Sequence, residues 1–194
     1  VWGGGLIERE EFYDFCDENG ILVWQEFIQS SSGIENEPSR DPEFLELMKS
    51  EAQIIIPRKK HHPSLAIWGG GNELSGPEDS MISMDEPVIR VLADQVRHLD
   101  PSRYFLESSP TGRMFNNTLE NIAKDPEGLH DVHGPWEHQG LTGQYTLYNA
   151  GTSLLSSEFG VEGMTNLTAL RKNIRESHLW PPSRDNEFYF HRGS

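Results

Sequence analysis

Two glutamates stand out by where they fall in the chain. Glu73 follows the apolar run Leu65-Ala66-Ile67-Trp68 after Gly69-Gly70-Gly71-Asn72, and Glu158 follows Leu154-Leu155-Ser156-Ser157 and precedes Phe159-Gly160. Each lies just past a short apolar run, next to glycines that let backbone and ligand approach closely. Carboxylates on facing strand ends can divide acid and base roles, the division that cleaving a glycosidic bond requires. The plain alternative is that both are loop glutamates, since the chain has 31 acidic residues. Trp24, Trp68 and Trp136 also fall at or just after strand ends, where an indole face can support a sugar ring; core packing is the equal alternative for each. Trp136 has the better claim, because Gly134-Pro135 already places it on a loop. His130 and His133, three apart on a strand, point to opposite faces, so no metal site is expected from them. The two glycine triplets lack the Lys-Ser/Thr and the G-x-G-x-x-G spacing of phosphate loops, and no cofactor is expected.

Positioning such residues takes alternating strands and helices. Residues 8–19 place Phe12, Phe15 and Cys16 on one helical face, and Gly20 suits the residue after the helix end. Ile21-Leu22-Val23-Trp24 is apolar on both faces, as a strand covered on both sides should be. Asp41-Pro42 opens a second helix, which Pro57 is expected to kink or end. Strands follow at residues 65–68, 104–106, 129–133 and 153–157, with helices from Pro87 to Leu99 and around Leu167, Leu170 and Ile174. This alternation predicts an α/β fold with a parallel sheet. In parallel barrels the site lies at the C-terminal strand ends, which is where Glu73 and Glu158 fall.

Composition narrows the partners. Sixteen Lys and Arg stand against 31 Asp and Glu, a formal charge of −15, and the only basic run is Arg58-Lys59-Lys60. Binding nucleic acid through its phosphates needs a basic face, so no nucleic-acid partner is expected. No apolar stretch approaches the ~18 residues of a membrane-spanning helix, and no membrane partner is expected either. The single cysteine, Cys16, excludes an internal disulfide framework. At 194 residues the chain is shorter than the ~250 of a usual eight-unit barrel.

The segments His62-Pro63-Ser64-Leu65-Ala66-Ile67-Trp68-Gly69-Gly70-Gly71-Asn72-Glu73 and Ser157-Glu158-Phe159-Gly160 resemble the two catalytic signatures of glycoside hydrolase family 2, in its β-mannosidase-like form. Val1 to Gly5 resembles the end of barrel strand two, Phe12 to Phe27 the next helix and strand three, Tyr104 to Pro110 strand five, and His130 to Trp136 strand six. The resemblance implies a partial (β/α)8 TIM barrel, about strands two to seven, with residues 1–194 as a fragment of the catalytic domain. It implies a carbohydrate substrate, and as partners the remaining barrel strands and the β-sandwich domains of the parent chain. By residue, it implies Glu73 as acid/base, Glu158 as nucleophile and Asn72 as the side chain that binds the sugar 2-hydroxyl. His133, Trp136, Trp68 and Trp24 are further expected substrate contacts. Strand six lacks the tyrosine of β-galactosidase-like members, and Asn72-Glu73 is intact, unlike glucosaminidase-like ones; both favour a neutral sugar other than galactose. The rival readings are another specificity of the family, or a non-catalytic structural or carbohydrate-binding piece.

Overall fold

A computed structural model describes residues 1–30, 36–160, 165–181, 183 and 185–187. Among them, α1 (Glu10–Asn19) leads into β1 (Val23–Glu26), α2 (Pro42–Lys59) into β2 (Leu65–Gly69), and α3 (Pro87–Leu99) into β3 (Tyr104–Leu106). These strands form a parallel sheet in chain order, β1-β2-β3, with Trp24 opposite Ile67 and Trp68 opposite Phe105. A second sheet holds β4 (Thr111–Gly112), β5 (Leu129–His133) and β6 (Leu155–Glu158), with α4 (Leu119–Lys124) and α5 (Gly140–Ala150) in the connections and α6 (Leu167–Asn173) beyond. β5 and β6 are parallel, as expected. The two-residue β4 runs antiparallel to β5, a departure from an all-parallel sheet, made where Gly112 takes φ 101°. No ladder among the described residues joins the two sheets into a closed barrel.

The core forms where two amphipathic helices meet the first sheet. α3 buries Val88, Ile89, Leu92 and Val96 along one face; α2 buries Met48, Ala52, Ile55 and Ile56, and both faces join Leu65, Trp68 and Phe27 in one cluster. The Asp41 carboxylate accepts from Glu43 N–H at 2.8 Å and fixes the α2 start. α2 runs through Pro57 to Lys59 rather than ending there. Pro57 sits in the last turn, where its missing N–H forfeits a single bond, and Lys60 N–H still reaches the Ile56 carbonyl at 2.9 Å.

α1 also departs from expectation: Tyr13 and Cys16 are buried while Phe15 is 57% exposed. The Tyr13 ring stacks on His62, lies 4.1 Å beneath Lys59 Nζ, and its hydroxyl bonds to Gln25. His62 itself bonds to Asp17 at 2.7 Å and Glu10 at 3.1 Å. Burial alone would lower its imidazole, but those two carboxylates outweigh it and the net shift is upward. Arg103 donates to the carbonyls of Lys60, His62 and Leu65, tying the entry of β2 to that of β3. This polar clamp at the N-terminal ends fixes the register that carries to the opposite ends. No helix among the described residues is long and apolar enough to cross a membrane.

Candidate active site

Beyond the C-terminal ends of the strands the chain stays in register through single bridges. Asn72 pairs in parallel with both Ser30 and Ser109, and Asn116 pairs with His133. Val1 extends the arrangement past β1, its carbonyl accepting from Glu26 N–H at 3.2 Å, which brings Trp2 over the same end. The backbone at Glu73 is held in the left-handed region, φ 52°, by its N–H, which donates to the Ser109 carbonyl at 2.6 Å. A glutamate there carries local strain, which persists only where surrounding contacts fix it.

Glu73 and Glu158 meet at His133. His133 Nδ1 lies 2.9 Å from Glu73 Oε1 and 3.9 Å from Glu158 Oε2, and the two carboxylates approach with oxygens within 4.8 Å of each other. His133 is fully buried, while the two glutamates keep part of their side chains open to solvent. Burial pushes the Glu158 carboxyl above the usual range; the Glu73 and Asp131 charges add to this, and His133 offsets it. Asn72 bridges to the same group. With its amide oriented by the hydrogen-bond network, Nδ2 donates to Glu158 Oε1 at 2.8 Å and the oxygen accepts from the Trp2 indole at 3.0 Å.

Two cavities flank this centre. One, of about 390 Å³, is bounded by Trp2, Trp24, Glu26 and Glu158. The other, of about 520 Å³, lies on the far side of His133 and is bounded by Trp136, Asn117, Leu119 and Leu147. The structure therefore brings together Glu73, Glu158, Asn72 and His133, with Trp24 and Trp136 on either side. Trp68 does not belong with them, which corrects the sequence expectation. It is fully buried, stacks on Phe27 at 5.3 Å, and its indole N–H donates to Asp100 at 2.9 Å. Alternation along β2 turns that side chain to the helices, leaving Gly69 on the other face.

Trp2 and Glu26 are the neighbours that sequence reasoning missed. The rule that selects Glu73 and Glu158, a carboxylate at the end of a buried strand, also selects Glu26 at the end of β1. Glu26 is 6% exposed and accepts from Gly3 N–H at 2.7 Å. Burial pushes its carboxyl up to about 7, from an ordinary 4.5. A carboxyl raised in this way binds its proton more tightly in the folded chain. It favours the fold below about pH 4.5 and that contribution is lost as pH rises through about 7. Glu26→Gln is therefore expected to raise stability by roughly 2 kcal/mol at pH 8 and by much less at pH 5. Thermal unfolding of both forms at the two pH values checks this; an equal gain at both would contradict it.

The trio Glu73, His133 and Glu158 and the trio Asp14, Asp17 and His62 each present one nitrogen and two oxygens within 4.8 Å, while Glu10, His61 and His62 present two nitrogens and one oxygen. In the first, the His133 nitrogen is already bonded to Glu73; in the others, His62 spends both ring nitrogens on Asp17 and Glu10.

Two signatures at strand ends of the two sheets, with their carboxylates meeting at His133, call for comparison with known proteins. Residues 8–167 match the sequence family described as "Glycosyl hydrolases family 2, TIM barrel domain". The chain belongs to glycosyl hydrolase family 2. This family 2 chain is 32% identical to a β-mannosidase of Rattus norvegicus over 99% of its own length, and 30% identical to a β-mannosidase B of Emericella nidulans over 97%. It spans only 22–23% of the length of those relatives. In structure it is similar to a β-D-mannosidase of Dictyoglomus thermophilum, at a TM-score of 0.69 and 31% identity over 91% of this chain and 21% of that one. The two sheets are accordingly part of a TIM barrel that the described residues leave open.

Proposed function

We propose that this chain carries the reacting groups of a retaining, β-mannosidase-like glycosidase that removes terminal β-linked sugars. The observation that carries the reading is the approach of Glu73 and Glu158 to within 4.8 Å between their nearest oxygens. Retaining enzymes hold their two carboxyl groups about 5–5.5 Å apart, whereas inverting ones leave roughly 6.5–9.5 Å for a water. In the first step a Glu158 oxygen attacks the anomeric carbon while Glu73 gives its proton to the departing oxygen, leaving a glycosyl ester and a free alcohol. In the second, Glu73 takes a proton from water, whose oxygen displaces Glu158 and releases the sugar. Asn72, which bonds both Glu158 and the Trp2 indole, is placed to bond the sugar 2-hydroxyl. The relatives' greater length supports a parent protein whose other segments complete the barrel and add the β-sandwich domains.

The test is a screen of the full-length enzyme on aryl β-mannoside, β-galactoside, β-glucoside and β-glucuronide, with the anomer of the first-formed sugar read by NMR. The expected result is a preference for the mannoside and release of the β-anomer. A preference for another sugar would move the specificity within the family, and release of the α-anomer would overturn the retaining mechanism.

A further inference from the structure

Behind His133 lies a row of polar groups, buried except at the exposed Ser157, that the mechanism does not use. His133 Nε2 lies 2.7 Å from Ser109 Oγ, Ser109 Oγ lies 2.8 Å from Ser157 Oγ, and Ser157 Oγ lies 2.8 Å from Asp131 Oδ2. Asp131 also accepts from Ser157 N–H at 2.9 Å and lies 3.2 Å from Ser109 Oγ. Ser109, Asp131 and His133 are all buried, at 2% exposure or less. With the 2.9 Å contact from His133 Nδ1 to Glu73 Oε1, four short contacts run in series from Asp131 to Glu73.

Counting hydrogens along that series is decisive. Each serine brings one, a neutral imidazole brings one, and an ionised carboxylate brings none. With Asp131 and Glu73 ionised and His133 neutral, three hydrogens serve four contacts. One added proton fills all four. It fills them wherever it resides: on Glu73, with His133 as the Nε2–H tautomer; on His133 as imidazolium; or on Asp131, with every bond reversed. Among the described residues, the charged groups facing His133 are Glu73, Glu158, Asp131 through the serines, and, at longer range, Glu26, with no cation among them.

We infer that Asp131 is a positioning residue for the acid/base Glu73, acting through Ser157, Ser109 and His133 to hold one proton within reach of the Glu73 carboxyl. This rests on the acid/base reading of Glu73. The chain keeps the acid form of the site populated before the glycosidic oxygen is protonated, and it re-sorts the serine hydroxyls when the proton leaves.

The experiment is made in the full-length enzyme with Asp131→Asn, Ser109→Ala and Glu73→Gln, each scored by kcat/KM for aryl glycosides of graded leaving-group acidity and by its pH profile. Ser109→Ala cuts the series without touching the Asp131–Ser157 bonds, so it guards against a folding defect in Asp131→Asn. Both are expected to widen the rate ratio between activated and unactivated leaving groups by about tenfold, part of the 10²–10⁴ that general acid catalysis supplies. Both should also move the basic limb of the profile to lower pH, by about one unit. Added to Glu73→Gln, neither should widen the ratio further. A uniform loss across all leaving groups with an unmoved basic limb would overturn the relay and leave Asp131 a structural brace of β6. If Glu73→Gln itself slows every leaving group equally, the acid/base reading fails, and the relay with it.

Discussion

Glu158→Gln in the full-length enzyme is expected to remove turnover for every aryl glycoside, a loss on the order of 10⁵-fold, because no glycosyl ester can form. Glu73→Gln should behave differently. For unactivated leaving groups it should lower kcat/KM by about 10²–10⁴, the usual worth of a general acid, and for a dinitrophenyl group by far less. The asymmetry follows from position: Glu158 bonds to Asn72 at its Oε1 and sits beside the Trp2–Glu26 cavity, while Glu73 shares its Oε1 with the buried imidazole of His133. Equal losses in the two variants across a leaving-group series would refute the assignment of roles.

A large effect on stability is also expected at Gly70. A Cβ there would fall 2.3 Å from the Glu107 carbonyl oxygen and 2.9 Å from Ile89 Cδ1, so β3 and α3 would both have to move. Gly70 N–H also bonds the Leu106 carbonyl at 2.8 Å, so the displacement would break a backbone bond that ties the end of β2 to β3. Gly70→Ala should cost roughly 2–4 kcal/mol by overpacking. Gly5 provides the control, since the nearest atom to its Cβ would be 3.6 Å away. Chemical unfolding of both variants decides; a Gly70→Ala midpoint equal to that of Gly5→Ala would show that β2 and β3 separate at little cost.

The core strands and the acidic pair were legible because their signal is local. Leu65 to Trp68 is an apolar run bounded by Pro63 and glycines, and a run of that kind can hardly be anything but a strand. The limits are just as physical. Periodicity marks Phe15 as apolar but cannot know that Tyr13 has His62 and Lys59 to pack against. α5 escapes notice because it buries only Leu147 and opens with Gly140, so no apolar face announces it. Trp68 and Trp24 look alike in sequence, one strand end apart, yet alternation sends the first into the core and the second to a cavity wall. Glu26 and the Ser109–Asp131 row become visible only when separate strand ends are brought side by side. The Pro-rich segment from Trp180 lies mostly outside the described residues.

The left-handed backbone at Glu73 sets stability and activity against each other at one position. A side chain in that region costs on the order of 1 kcal/mol or more relative to glycine. Loss of the carboxylate to glycine would thus relieve the backbone even as it disabled the acid. Selection for folding alone would not guard position 73, whereas selection for the proposed chemistry would. Descendants of such a sequence that drift into purely binding roles would be expected to lose this residue early, and to become slightly more robust to heat as they do.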